Sequence, residues 1–181
     1  MKTKQQILSL ALLLMGSLFT QPALALSTDS EQPMNIQADR VDIDDEKGTS
    51  IFHGNVVITR GSIRITGNKV TVYRDKQKNL DKIHAVGQKG KPAHFQQRPD
   101  NKPDDVIAEA INLRYNASTE ILDLKQSAKA VQGGSVTTGD HIVYKSKTDT
   151  VIAKSKPGAS KNNGGRVNIT IQPKKNKKTK K

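Results

Sequence analysis

From Ile51 to Arg74 the chain reads IFHGNVVITRGSIRITGNKVTVYR. Its apolar positions fall two apart: Val56 and Ile58, Ile63 and Ile65, Val70 and Val72, mostly with Thr, Arg or Lys between them. That spacing gives each strand one greasy face and one wet face, which places Thr71 toward water. Gly54-Asn55, Arg60-Gly61 and Gly67-Asn68 interrupt the runs at turn spacing and predict three short strands in succession. A helix here would have to absorb the glycines and a β-branched run, both of which oppose it.

One phrase recurs: a small residue, a polar one, a variable one, then alternating aliphatics. It appears as Ala38-Asp39-Arg40-Val41-Asp42-Ile43, Gly67-Asn68-Lys69-Val70-Thr71-Val72-Tyr73, Ala108-Glu109-Ala110-Ile111-Asn112-Leu113 and Gly139-Asp140-His141-Ile142-Val143-Tyr144. First to third and second to fourth are separated by nearly the same distance, which predicts two similar half-units of about 70 residues. Between them, Gly87 to Asp105 is less regular; Lys91-Pro92-Ala93-His94-Phe95 reads as an edge strand, where proline is tolerated, and 96–105 as an exposed loop. After Val151-Ile152-Ala153, the stretch Lys156-Pro157-Gly158 to Asn162-Asn163-Gly164-Gly165 reads as a linker. Val167, Ile169 and Ile171 then alternate as a last, terminal strand.

Repeated strands with one apolar face must close over it as a barrel, a sandwich or a jelly roll. Two similar halves fit an open, two-sheeted antiparallel roll best, so the expected class is all-β. Alternation nominates Met34, Ile36, Val56, Ile58, Ile63, Ile65, Val70, Val72, Phe95, Ile111, Leu113, Tyr115, Ile142 and Tyr144 for its interior. A roll left open has unpaired backbone groups on its terminal strands. The edge candidates are the strand around Met34 to Gln37 and one near the C-terminal end, unless the chain caps both itself.

Composition narrows the class. Trp and Cys are absent, with only three Phe and three Tyr. Val, Ile and Thr carry much of the apolar content and suit a pleated surface. Without cysteine there are no disulfides and no thiolate metal sites, and no lipid-modified start. Lys2 and Lys4, the apolar run from Ile7 to Phe19 and Ala23-Leu24-Ala25 read as a cleaved export signal over residues 1–25, the run being too short for a membrane span. The mature domain is expected over 26–156, with 157–172 as linker and possible edge strand. The formal charge is +13; without Lys2, Lys4 and the six lysines of the 173–181 tail, it is +5 for residues 26–172. The body is mildly basic, and the tail is expected to be disordered.

The search for catalytic chemistry finds no G-x-S-x-G, H-E-x-x-H, P-loop or G-x-G-x-x-G pattern. His53, His84, His94 and His141 are scattered, and no metal or cofactor is expected of them. Asp42, Asp44, Asp45 and Glu46 suggest a calcium loop, but Lys47 stands where such a loop needs glycine, so the run reads as the turn after the first strand.

The stretch Gln32-Pro33-Met34-Asn35-Ile36-Gln37-Ala38-Asp39, the run GNVVITRGSIRITGNKVTVYR from Gly54, and Gly90-Lys91-Pro92-Ala93-His94-Phe95 resemble the OstA-like family of lipopolysaccharide export proteins over about residues 32 to 153. That resemblance implies a β-jelly roll with an incompletely closed apolar interior and lipid A binding in the periplasm. It also implies head-to-tail stacking, an inner-membrane LptC-like neighbour and an outer-membrane LptD-like neighbour; the missing catalytic motifs argue against an enzyme. Lipid contacts would come from Met34, Ile36, Ile58, Ile65, Val72, Phe95, Leu113, Tyr115 and Tyr144, with Met34, Ile36, Phe95 and Tyr115 raised above the rest by the resemblance. Arg60, Arg64, Lys69 and Arg74 would meet phosphate or sugar, if they are not simply a solvated face. Two other classes stay open: a secreted binder of nucleic acid or acidic polysaccharide through the lysine tail, and a periplasmic scaffold with no lipid ligand. Against the first, no aromatics are interleaved with the lysines for base stacking.

Overall fold

The computed structural model describes residues 29–99, 102–156 and 166–173, so the expected signal, most of the linker and the lysine tail lie outside the described residues. Two short strands, β1 (Met34–Gln37) and β2 (Arg40–Asp44), lie on the two halves of β3 (Thr49–Arg60), β1 along 57–60 and β2 along 49–53. The long β4 (Ile63–Arg74) is likewise shared. It pairs with β6 (Ala93–Gln97) through 64–66 and with β5 (Leu80–Val86) through 69–74. β7 (Val106–Ala110) and β8 (Asn112–Asn116) divide β9 (Ile121–Gln132), while β12 (Asn168–Thr170) and β11 (Thr150–Lys154) divide β10 (Ser135–Lys145).

The pairing resolves into two layers. One runs β1-β3-β4-β6-β7-β9-β10-β12 and the other β2-β3-β4-β5-β8-β9-β10-β11, all antiparallel, with the four long strands passing through both. The two predicted halves are present as topology. β1–β6 and β7–β12 repeat one plan, in which two short strands lie on a long hairpin and two more lie on its second arm.

The crossing between layers forms a corner. Register shifts fall at His53/Val56 in β3 and Gly139/His141 in β10, and Gln126 and Ser127 take positive φ in β9. At Gly54 a Cβ would lie against the Asp39 side chain, so the bend requires glycine there (φ +72°). Asn55 then donates its amide to Asp39 at 3.1 Å. The corner continues through Gly87 N–H to Ile111 O (2.8 Å) and Ile111 N–H to Gln126 O (3.0 Å).

This corrects the reading of residues 51–74 as three short strands. Gly54-Asn55 and Gly67-Asn68 are bends inside two long strands, and the only turn between those strands is at Gly61-Ser62. The recurring phrase marks the corner itself: Ala38-Asp39, Gly67-Asn68 and Gly139-Asp140 sit on it, and Ala108–Leu113 crosses it at Ile111. β6 is not an edge but lies between β4 and β7; Pro92 precedes it, where its missing N–H costs no ladder bond. The expected loop starts after Gln97, since Gln96 and Gln97 belong to β6.

The core lies between the layers and is built from both: Ile58, Ile65, Phe95 and Ala108 from one, Val72, Leu113, Leu122 and Tyr144 from the other. Phe95 meets Tyr115 across it, ring centroids 5.5 Å apart. Two expectations fail. Ile111 is only half-buried, because it sits in the corner, and Thr71 is 8% exposed although it is on the outer face, where it is paired with Ile51 and His84. Among the described residues no helix is long and apolar enough to cross a membrane.

Candidate functional site

Away from the corner, the strand ends of both layers line a cavity of about 540 Å³. Its floor carries Ile58 and Ile63 from the β3–β4 hairpin and Leu80, Ile83 and Tyr115 from the opposite layer. The inward-facing alternation turns polar as each strand reaches this mouth. Ile58 is followed by Arg60, Phe95 by Gln97 and Tyr144 by Ser146. The result is a trough with apolar residues at its floor and a polar, charged rim. An apolar chain can enter such a site without leaving its polar terminus in the core.

Two sets of polar contacts lie on the rim. At the C-terminal side, Lys102 reaches Asp149 at 2.6 Å, and Gln132 and the Tyr144 hydroxyl donate to the same carboxylate at 3.2 and 3.3 Å. Those donors, Lys102 first, hold the Asp149 carboxyl below the usual carboxylate range. Burial, with Asp149 beside it, pushes the Tyr144 hydroxyl up to about 12. At the N-terminal side, a single 3-10 turn, Asp29–Glu31, lies against the β3–β4 turn. Arg60 donates to the carbonyls of Gln32 (3.1 Å) and Ser30. Burial also raises the Tyr115 hydroxyl strongly, so it stays a neutral hydrogen-bonding group in the trough.

A second cavity of about 450 Å³ shares Ser30, Arg60, Leu80 and Ala117 with the first and carries the trough to the N-terminal edge, where Met34, Arg74 and Lys78 line it. The structure thus gathers Ile58, Tyr115, Met34, Arg60 and Arg74 at one continuous mouth. Ile36 is half-buried on the same edge strand. Ile65, Val72, Phe95, Leu113 and Tyr144 do not line the mouth; like Ile58 itself, each is at most 3% exposed. Arg64 and Lys69 sit on the outer face, exposed and away from the mouth, because they alternate with the buried Ile63, Ile65 and Val70. Arg74 is held by Asp45 at 2.5 Å.

Sequence reasoning missed Leu80, Ile83, Gln97, Lys102 and Asp149. Gln97 was legible, since Ala93, Phe95 and Gln97 share a face. Lys102 and Asp149 carry no local signal, because their pairing depends on two loops from different layers.

The family model described as "LptA/(LptD N-terminal domain) LPS transport protein" matches residues 35–150. The chain is 35% identical over 163 residues to the lipopolysaccharide export system protein LptH of Pseudomonas aeruginosa, covering 90% of this chain and 91% of that one. It is 33% identical over 176 residues to LptA of Escherichia coli K12, covering 96% and 90%. The crystal structure of the Pseudomonas LptH, described as the LptA-homologous periplasmic component of the lipopolysaccharide transport device, superposes with a TM-score of 0.71 at 33% identity, covering 81% of this chain and all of that one. With the doubled jelly-roll plan and the family match spanning both of its halves, the chain belongs to the LptA/LptD N-terminal domain family of lipopolysaccharide transport proteins.

Proposed function

We propose that the protein is a non-enzymatic carrier that moves lipopolysaccharide across the periplasm, with the fatty tails of lipid A lying in the mouth of the roll. The observation that carries this reading is the aliphatic floor formed by Ile58, Ile63, Leu80 and Ile83, open at one side and rimmed by charge. An acyl chain of about a dozen methylenes gains roughly 10 kcal/mol on leaving water, at about 0.8 per methylene. It therefore needs continuous cover across an aqueous gap. Ile65, Val72, Phe95, Leu113 and Tyr144 extend the floor inward, as tails that spread the layers would contact them. Arg60 and Arg74, which line the rim, would meet lipid phosphates; Arg64 and Lys69 lie on the outer face, away from it.

Continuous cover over the whole gap requires more than one roll. Among the described residues each layer ends in strands with no partner on their outer side, β1 and β12 in one and β2 and β11 in the other. Three of these four carry exposed large apolar side chains: Val41 and Ile43 on β2, Val151 and Ile152 on β11, and Ile169 on β12, with Ile171 just beyond it. Such edges recruit partner strands. Head-to-tail stacking would join the mouths into a channel running from an LptC-like protein at the inner membrane to an LptD-like one at the outer membrane. Residues 1–25 would serve as the export signal that delivers the chain there.

A photocrosslinking residue tests the trough. Placed at Leu80 or Met34, it should capture lipopolysaccharide; placed at Lys125 on the outer face, it should not. Equal capture at Lys125, or none at the mouth, overturns the reading.

A further inference from the structure

The Asp29 carboxylate sits in a nest of donors contributed by elements remote from it. The backbone N–H of Ser62 donates at 2.5 Å, the Ser62 hydroxyl at 2.8 Å and the Gln97 side-chain amide at 3.1 Å. Arg60, one residue before the same turn, supplies the neighbouring positive charge. The nest is shaped for an anion. Gly61 has φ +57°, and a Cβ there would collide with the Asp29 carboxylate oxygen, so the turn leaves open the volume the anion fills. The Ser62 hydroxyl is fixed in turn by the backbone N–H of Arg98, which donates to it at 3.1 Å.

Two features set this seat apart from an ordinary turn cap. None of Asp29–Glu31 is buried, so burial does not hold the turn in its place. And Gln97, only 6% exposed, keeps its Oε1 buried with no hydrogen-bond partner among the described residues, an arrangement that is unfavourable unless something else supplies a donor. Asp29, Arg60 and Gln97 all line the cavity whose floor is Ile58 and Tyr115.

We propose that this nest is a phosphate-monoester site of the lipid headgroup and that Asp29 fills it in the empty protein as an intramolecular plug. Lifting residues 29–32 exposes the Ser62 N–H and hydroxyl, the Gln97 amide and the Arg60 guanidinium together at the mouth of the apolar trough. A monoester phosphate can accept from all of them, and in its monoanionic form its hydroxyl can donate to Gln97 Oε1. The proposal rests on the carrier reading for the identity of the lipid, but not for the existence of the site.

The test is amide NMR of the purified protein titrated with inorganic phosphate. In Asp29→Ala the Ser62 amide should shift saturably, with an apparent affinity at least about tenfold above that of the wild type, the factor corresponding to one charge-assisted hydrogen bond of about 1.4 kcal/mol. Adding Gln97→Leu should weaken that response. Asp29→Asn, which keeps the shape and removes the charge, gives the same reading if the alanine variant folds poorly. A Ser62 amide that ignores phosphate in these variants, or follows it equally in the wild type, overturns the nest. A second arm compares lipid A with its dephosphorylated form: Asp29→Ala should gain affinity for the first only, and equal gains sink the phosphate assignment. Should no variant bind either lipid, the carrier reading fails, and the phosphate titration still decides the nest.

Discussion

At Gly54-Asn55 and Gly67-Asn68, residues that resemble turn formers bend a strand instead of ending it. Sequence spacing alone does not separate the two, because both need positive φ or a missing Cβ; what differs is whether a partner strand continues past the bend. The alternation itself was reliable where both faces were distinct, as at Ile63, Ile65, Val70 and Val72, all buried. It failed at Thr71, where cross-strand neighbours cover the outer face as well. His84, next to Thr71, shows the cost of that cover. Burial, then the nearby Arg114, lowers its pKa, and its Nε2 is buried without a hydrogen-bond partner among the described residues. A depressed histidine stabilises the fold above its unfolded value near 6.5 and loses that contribution as pH falls through the lowered folded value. The melting temperature of the wild type should therefore drop between pH 7 and 5, and His84→Gln should flatten that drop in a thermal-melt series. In the core, Ile65→Ala should cost about 2–4 kcal/mol in denaturant unfolding, whereas Leu80→Ala at the mouth should cost less, since a half-open site leaves a smaller cavity.

Among elements, the corner was legible only after the pairing was known. The phrase shared by 38–43, 67–73, 108–113 and 139–144 was visible as a repeat, yet its meaning, a strand changing layers, resides in which neighbours each half acquires. The loops facing each other across the mouth had no such signature. Lys102 and Asp149 are 47 residues apart in sequence, and only the meeting of the two layers joins them. Because Asp149 has a depressed pKa, the fastening contributes above pH 3.8 and is lost as pH falls through the lowered folded value. Both partners are more than a third exposed, so Asp149→Asn should cost only about 0.5–1 kcal/mol at neutral pH, and its stability should converge with the wild type in acid. The terminal strands carry a different prediction. Ile43→Glu and Ile169→Glu should each lower self-association measured by sedimentation without lowering the melting temperature, because both side chains are at least 60% exposed. Unchanged association in both would remove the stacking proposal.

For the whole molecule, two half-units of one plan close around a single core and yet leave one side open. That asymmetry follows from the corner, which draws the layers together along Gly54, Gly87 and Ile111, while the contacts of Lys102 and Gln132 with Asp149 join their far ends. The absence of cysteine fits a body held by burial and ladder bonds, with the mouth fastened by exchangeable polar contacts. In the proposed opening the side-chain bonds of Asp149, Asp29 and Arg60 would break, and none of these is a ladder bond. The chain has no tryptophan, so one can be introduced as its only reporter. Leu80→Trp should shift its emission to the blue, saturably, as lipopolysaccharide is added, while Tyr73→Trp on the outer face should not respond. An unmoved signal at position 80, or equal shifts at both positions, would contradict a lipid-filled mouth.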